Sequence, residues 1–228
     1  MEASALTKLY ENNAVEIVAV PDGVVIVAQE DSDENQAIVT YRLVSFRGHR
    51  VMPVTKDIYL RGKFGEDYAA IAPQLPDYIN YKVASLPDGR LLCVYPTGES
   101  VLFSTGGFLE WRGKLTYQDM GPSGVACVGN ALWVSFSEGD TILRYNLEFL
   151  REELRIGSRK DNAFSRPCSL SSEDGRLIVC NRDSCCVESV DPRNYAVQRL
   201  YTFDEPVYQY VRSGTENIVL LASGVYQV

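Results

Sequence analysis

The chain holds thirty carboxylates but a single histidine, His49, so the acid–base chemistry open to it is lopsided. A Ser-His-Asp arrangement or a histidine-rich metal centre would rest on that one residue. His49 lies in SFRGHRVM, which reads as a hairpin turn between outer strands, where an imidazole is solvated rather than set against a nucleophile. No G-x-x-x-x-G-K-[ST] loop and no G-x-G-x-x-G turn occurs, so nothing is built to cradle a nucleotide's phosphates. Carboxylates and carbonyls suffice for calcium or magnesium, which leaves an oxygen-ligand site open. Glycoside hydrolysis needs two carboxylates flanking one bond, and no spacing in this chain pairs them.

Cysteine offers little more. Cys93, Cys127 and Cys180 sit in aliphatic runs, where a free thiol packs as a small hydrophobe, and no C-x-x-C pair suggests zinc or redox cycling. Neighbours in a strand point to opposite faces, so one of Cys185 and Cys186 should be more accessible than the other. With Cys168 these make six thiols and no framework typical of a small secreted domain, which fits a reducing compartment.

The elements that must position these residues come from a segment that returns five times: a tight turn, an aliphatic run, then a polar loop. It reads PDGVVIVAQE from Pro21, PDGRLLCVYP from Pro87, VGNALWVSFSEGD from Val128, EDGRLIVCNRD from Glu173 and GTENIVLLASG from Gly214. Aligning on Val25, Leu91, Leu132, Leu177 and Ile218 gives spacings of 66, 41, 45 and 41 residues. Strand-built periods of about 40–45 residues are the signature of propeller blades. The 66-residue spacing is one blade plus an insertion near 56–77, expected to run over one rim as a lid or docking loop. VYQV at the C-terminus leaves the last blade one strand short, and ALTKLY from Ala5 supplies it. The N-terminal strand should therefore close the ring and remove its exposed edges.

The segment Pro122 to Asn146 (PSGVACVGNALWVSFSEGDTILRYN) resembles the repeat of the NHL, YncE-like and SMP-30-like propellers, and RPCSLSSEDGRLIVCNRDSCCVESVD from Arg166 resembles it more loosely. Those repeats enter through Pro-x-Gly-Val-Ala, turn on Gly-Asn, and continue through an aliphatic-aromatic strand. The resemblance implies a propeller fold. The SMP-30-like lactonases hold a divalent ion at the channel mouth with Glu, Asn and Asp, which would correspond to Glu16, Asn181 and Asp183 with calcium as the ion.

In a propeller the loops joining second and third strands emerge beside the connections between blades. Here they carry Glu30, Asp31, Asp33, Glu34, Glu99, Glu138, Asp140 and Asp183, so one rim is expected to be acidic, with Tyr95, Phe136 and Tyr68 near it as contact anchors. A net charge of −8 disfavours nucleic acid and anionic membrane surfaces. No apolar run reaches bilayer length, and MEASALTKLYENN lacks a secretory signal's basic start, so a cytoplasmic location is expected. The expected protein is thus a single all-β domain, 1–228, a five-bladed β-propeller with one insertion between blades 1 and 2. Its expected role is a non-catalytic scaffold for a protein or peptide partner on the acidic face, with no cofactor. The alternatives are a divalent-metal hydrolase or lactonase at the channel mouth, and a carbohydrate-binding propeller.

Overall fold

A computed structural model describes residues 6–11, 13–31, 37–75, 81–158, 160 and 163–228. The strand β1 (Thr7–Glu11) stands apart from the first sheet, which is β2 (Ala14–Val20), β3 (Gly23–Asp31), β4 (Ala37–Ser45) and β5 (Arg50–Pro53). The second is β6 (Lys82–Ser85), β7 (Leu91–Val94), β8 (Glu99–Phe103) and β9 (Leu109–Lys114). The third runs β10 (Gly124–Val128), β11 (Ala131–Phe136), β12 (Thr141–Asn146) and β13 (Glu152–Ile156). The fourth is β14 (Pro167–Glu173), β15 (Arg176–Asn181), β16 (Cys186–Val190) and β17 (Val197–Thr202). The fifth has β18 (Val207–Ser213), β19 (Glu216–Leu221) and β20 (Gly224–Gln227), and β1 pairs antiparallel with β20 to complete it. The result is a ring of five four-stranded blades closed by the N-terminal strand, as the repeat predicts.

The core lies in the seams between blades, which explains the aliphatic runs. On β3, Val24 and Ile26 pack toward blade 5 while Val25 and Val27 pack toward the opposite seam, so strict alternation buries every residue of the run. On β11, Leu132 and Val134 face blade 2 while Ala131 and Trp133 face blade 4. The outermost strands β5, β9, β13 and β17 are largely exposed.

The 66-residue spacing is accounted for differently from the loop that the sequence suggests. The segment after β5 is helical: α1 (Lys56–Phe64) and α2 (Tyr68–Ile71), joined and followed by short 3-10 turns, with residues 76 and 77 outside the described residues. It does not run over the rim. It is a wedge in the seam between blades 1 and 2, where Tyr59, Leu60, Phe64, Ile71 and Leu75 are buried with Val25, Val27, Cys93 and Phe103. The helix lies directly on β2, since a Cβ at Gly62 would meet Val20 Cγ1 at 2.9 Å and Val18 Cγ1 at 3.0 Å. A seam widened by a long connection must be filled, and aromatic side chains fill it with the largest area per residue.

Closure depends on Gly224. It has φ +143°, and a Cβ there would lie 2.3 Å from the Tyr10 carbonyl oxygen of β1. Gly175, at the β14–β15 turn, also has positive φ (+73°) but open space around it. Gly224→Ala is expected to cost more than about 1 kcal/mol, the level at which backbone-incompatible substitutions fall, and so about 2–4 °C or more in melting temperature for a chain of this size. Gly175→Ala carries the backbone strain without the clash and should cost less. Equal thermal shifts for the two variants would refute the view that β1 is pinned at this point.

Candidate functional site

All five inner strands and α1 line a channel cavity of about 180 Å³. Three of those strands carry a register shift next to the residue they present. The shift in β2 falls between Ala14 and Glu16, in β14 between Pro167 and Ser169, and in β18 between Val207 and Gln209. Such bulges re-aim a side chain, and Glu16, Ser169 and Gln209 all line the cavity, with Lys82 opening β6 and Gly124 opening β10. Gln209 is committed to the ring: its amide accepts from Ile17 N at 2.9 Å and donates to Ile17 O at 2.8 Å, tying blade 5 to blade 1. Gly124 permits a close approach, because a Cβ there would lie 2.7 Å from Leu170 N.

Glu16 is the one carboxylate of the lining, and the helical wedge supplies its partners. Lys63 Nζ donates to both carboxylate oxygens at 2.7 and 3.0 Å, Tyr59 Oη donates to Oε2 at 2.8 Å, and Nζ also reaches Tyr59 Oη at 2.8 Å. Tyr59 and Lys63 are four apart on α1 and so share one helix face. The Lys63 ammonium also sits 4.4 Å from the centre of the Tyr81 ring, a cation–π contact. Burial pulls this ammonium below its ordinary value against the opposing pull of Glu16, and burial, reinforced by Glu16, drives the Tyr59 phenol far up. Sequence reasoning singled out Glu16 but not Lys63 or Tyr59. The available signal was that an acid inside AVEIVAV must find a buried partner.

The other two residues matched to a metal site lie elsewhere. Asn181 is fully buried in blade 4, where Nδ2 donates to Glu188 Oε2 at 2.9 Å and Oδ1 accepts from Ser165 N at 3.2 Å. Asp183 is in the following turn, 4.0 Å from the Arg182 guanidinium. The Glu16 and Asn181 side chains are therefore engaged by different partners, and neither is bonded to Asp183. Among the described residues no group of three His, Cys, Asp or Glu side chains could hold a metal ion.

By the antiparallel strand order, the turns after β7, β11, β15 and β19 emerge on the same edge as the blade-to-blade connections. Several of their acids have arginine partners. Glu30 lies 3.5 Å from the Arg42 guanidinium, Glu138 pairs with Arg166, and Asp140 Oδ1 accepts from Arg166 N at 2.8 Å. Asp33 and Glu34, with the side chain of Asp31, lie outside the described residues. Phe136 is fully buried against Tyr117 and is not available to a partner, whereas Tyr68 is partly exposed beneath Arg61. Tyr95 and Glu99 belong to a groove of about 480 Å³ between blade 2 and the wedge, with Gln74, Val101, Arg112 and Lys114. Gln74 Nε2 donates to Gly107 O at 2.7 Å, so the groove's wall is anchored to blade 2.

No protein-family model matches the chain, and no curated protein matches it by sequence. Solved structures do match in shape. Glutaminyl cyclase from Myxococcus xanthus superposes with a TM-score of 0.57 at 12% identity, covering 99% of this chain and 94% of that one. A catalytically inactive histidine-to-alanine variant of Staphylococcus aureus virginiamycin B lyase, with quinupristin, gives a TM-score of 0.54 at 12% identity over 95% and 80% of the two chains. The WD40 repeats of RRP9 give 0.50 at 10% identity over 95% and 61%. The chain is a β-propeller. At these identities the likeness extends to the propeller fold alone, and a cyclase, a lyase and a WD40 domain share it. This propeller's only histidine, His49, is exposed in the β4–β5 turn.

Two outcomes test the channel geometry. The Lys63 and Glu16 side chains are 5% and 10% exposed, so Lys63→Met should cost about 3–5 kcal/mol by stranding a buried carboxylate. Adding Glu16→Gln to Lys63→Met should recover much of it in a urea-denaturation double-mutant cycle. Additive losses would mean that the pair is not coupled. The second outcome is alkaline. Burial pushes Cys93, Tyr95 and Tyr145 up to about 12 and Cys168 up to about 11, from ordinary values of 9.0 for thiols and 10.0 for phenols. The unfolded chain releases these protons first, so their contribution is intact below pH 9 and is lost as pH rises toward 11–12. Lys63, shifted downward, opposes this alone. The melting temperature should fall steadily above pH 9, with phenolate absorbance rising in step with unfolding.

Proposed function

We propose that this propeller is a non-catalytic scaffold that binds a protein or peptide segment in the groove between blade 2 and the helical wedge. The observation that carries the reading is the state of the groove's charges: Glu99, Arg112 and Lys114 line it, and none has an ion-pair partner among the described residues. Elsewhere on the same edge Glu30, Glu138 and Asp140 are already engaged by neighbours. Free charges of both signs beside Tyr95 suit a partner that brings its own pairs and an apolar side chain, which is how rim polarity gives register and specificity.

A catalytic reading finds less support. The cavity of about 180 Å³ is small beside the roughly 300–1,000 Å³ typical of small-molecule sites. Its one carboxylate is occupied by Lys63 and Tyr59, so neither a metal-assisted hydrolase nor a two-carboxylate glycosidase has its groups assembled there. No helix among the described residues is long and apolar enough to cross a membrane.

A photocrosslinking residue placed at Glu99 should capture a discrete partner, and the same residue at His49 should not. Reversing both bases, Arg112→Glu with Lys114→Glu, should weaken that complex at least about tenfold, equivalent to ~1.4 kcal/mol. Identical products from both positions, or capture indifferent to the reversal, would exclude the groove as the binding surface.

A further inference from the structure

Lys82, the first residue of β6, is one of two lysines lining the channel cavity. The other, Lys63, has its charge met by Glu16. Lys82 makes no hydrogen bond or ion pair among the described residues. It lines the cavity together with Lys63 from α1 and Ser169 from β14. Ser169 is 9% exposed, and its hydroxyl likewise has no hydrogen-bond partner among the described residues. The only walled-in side-chain nitrogen or oxygen without a partner among the described residues is Trp133 Nε1, so the Ser169 hydroxyl opens on the cavity that it lines.

The lining therefore carries two ammonium groups against one carboxylate, a net positive charge inside a chain whose total is −8. A charge in a confined, partly desolvated space is stabilised by a counter-charge with good hydrogen bonds. Glu16 brings one negative charge, and Lys63 already offsets it. We propose that the channel mouth binds one small, singly charged carboxylate, held by the Lys82 ammonium and the Ser169 hydroxyl. Size sets the class. A cavity of about 180 Å³ is small beside the roughly 300–1,000 Å³ of sites for drug-sized ligands, which suits an acid of acetate size rather than a nucleotide or a peptide. The bulge before Ser169 contributes to this placement, since a one-residue shift of register turns a side chain to the opposite face of its sheet.

Acetate itself is the probe. Saturation-transfer NMR on its methyl protons, with the full-length protein at constant ionic strength set by sodium chloride, should show saturable binding. Formate should compete with it and tetramethylammonium should not. Lys82→Met should weaken acetate at least tenfold, and Ser169→Ala severalfold, with melting temperatures in chloride near that of the parent. Lys8→Met, a surface control on β1, should leave binding unchanged. Absence of saturation, or equal binding by Lys82→Met and the parent, would overturn the proposal. Loss in Lys8→Met as great as in Lys82→Met would do the same, by showing non-specific attraction to surface lysines. Should Lys82→Met fail to fold, Lys82→Gln with Ser169→Ala reads the same dependence.

Discussion

Everything in this molecule depends on one constraint: a sheet that is apolar on both faces has to be covered on both faces. A four-stranded blade with Val24 and Ile26 on one side and Val25 and Val27 on the other cannot stand alone. A closed ring is the arrangement in which every blade has two neighbours and no terminal face is left to solvent. That makes the meeting of the two chain ends an energetic requirement as well as a topological one. The seam between blades 5 and 1 is reinforced accordingly: the Gln209 side chain bridges to Ile17, and Ser213 Oγ donates to Val20 O at 2.7 Å. At the seam between blades 3 and 4 hydroxyls play the same part, with Ser123 and Ser137 both donating to Pro167 O.

The seam between blades 1 and 2 is the exception, and the chemistry of the chain follows from it. There the inner strand β2 meets α1 in place of a neighbouring strand. A helix in that position presents side chains at a spacing no strand offers, so Tyr59 and Lys63 reach the same carboxylate from one face. The same wedge, through Gln74, forms a wall of the groove that exposes Glu99, Arg112 and Lys114. One insertion therefore shapes both the inside of the ring and the groove on its outer edge. A buried ion pair of this kind adds little net stability compared with an apolar contact of the same shape. Its effect here is to neutralise Glu16, leaving Lys82 as the uncompensated charge of the channel.

How far the sequence could be read follows the same physics. The second strands were legible because burial on both faces makes them continuous aliphatic runs, and the turns Pro21–Asp22 and Gly129–Asn130 mark their starts. The closing strand was legible by subtraction, since the last repeat lacked one. The wedge's place along the chain is legible but its helical form is not, because KDIYLRGKF has no sharp apolar face: the buried face that carries Tyr59, Leu60 and Phe64 also carries Lys63, which blurs the helical periodicity. Asn181 and Asp183 are matched to Glu16 by the resemblance and by position on an inner strand or a strand-exit loop. In the fold Asn181 instead completes a chain from Ser165 through Glu188 to Arg199 within its own blade. The acids of the turns are legible in the sequence, but their arginine partners come from other strands and connections, as Arg166 does for Glu138, and no local pattern announces such pairs.

This division between legible scaffold and illegible site has a physical cause. Burial of apolar surface is non-directional and proportional to area, so it leaves a periodic record wherever it acts. A charged site depends on a few atoms meeting at about 3 Å, and those atoms come from segments far apart in the chain: Lys63 and Glu16 are 47 residues apart, and Gln209 and Ile17 are 192 apart. Bulges add a second layer of concealment, because a one-residue shift decides whether a side chain lines the channel or packs in a seam. Val15 is exposed while Glu16 is buried against the wedge, and that single step along β2 separates surface from site. In a ring whose blades are near-repeats, the three bulges of the inner strands and the one wedge therefore set where the chain's charges converge.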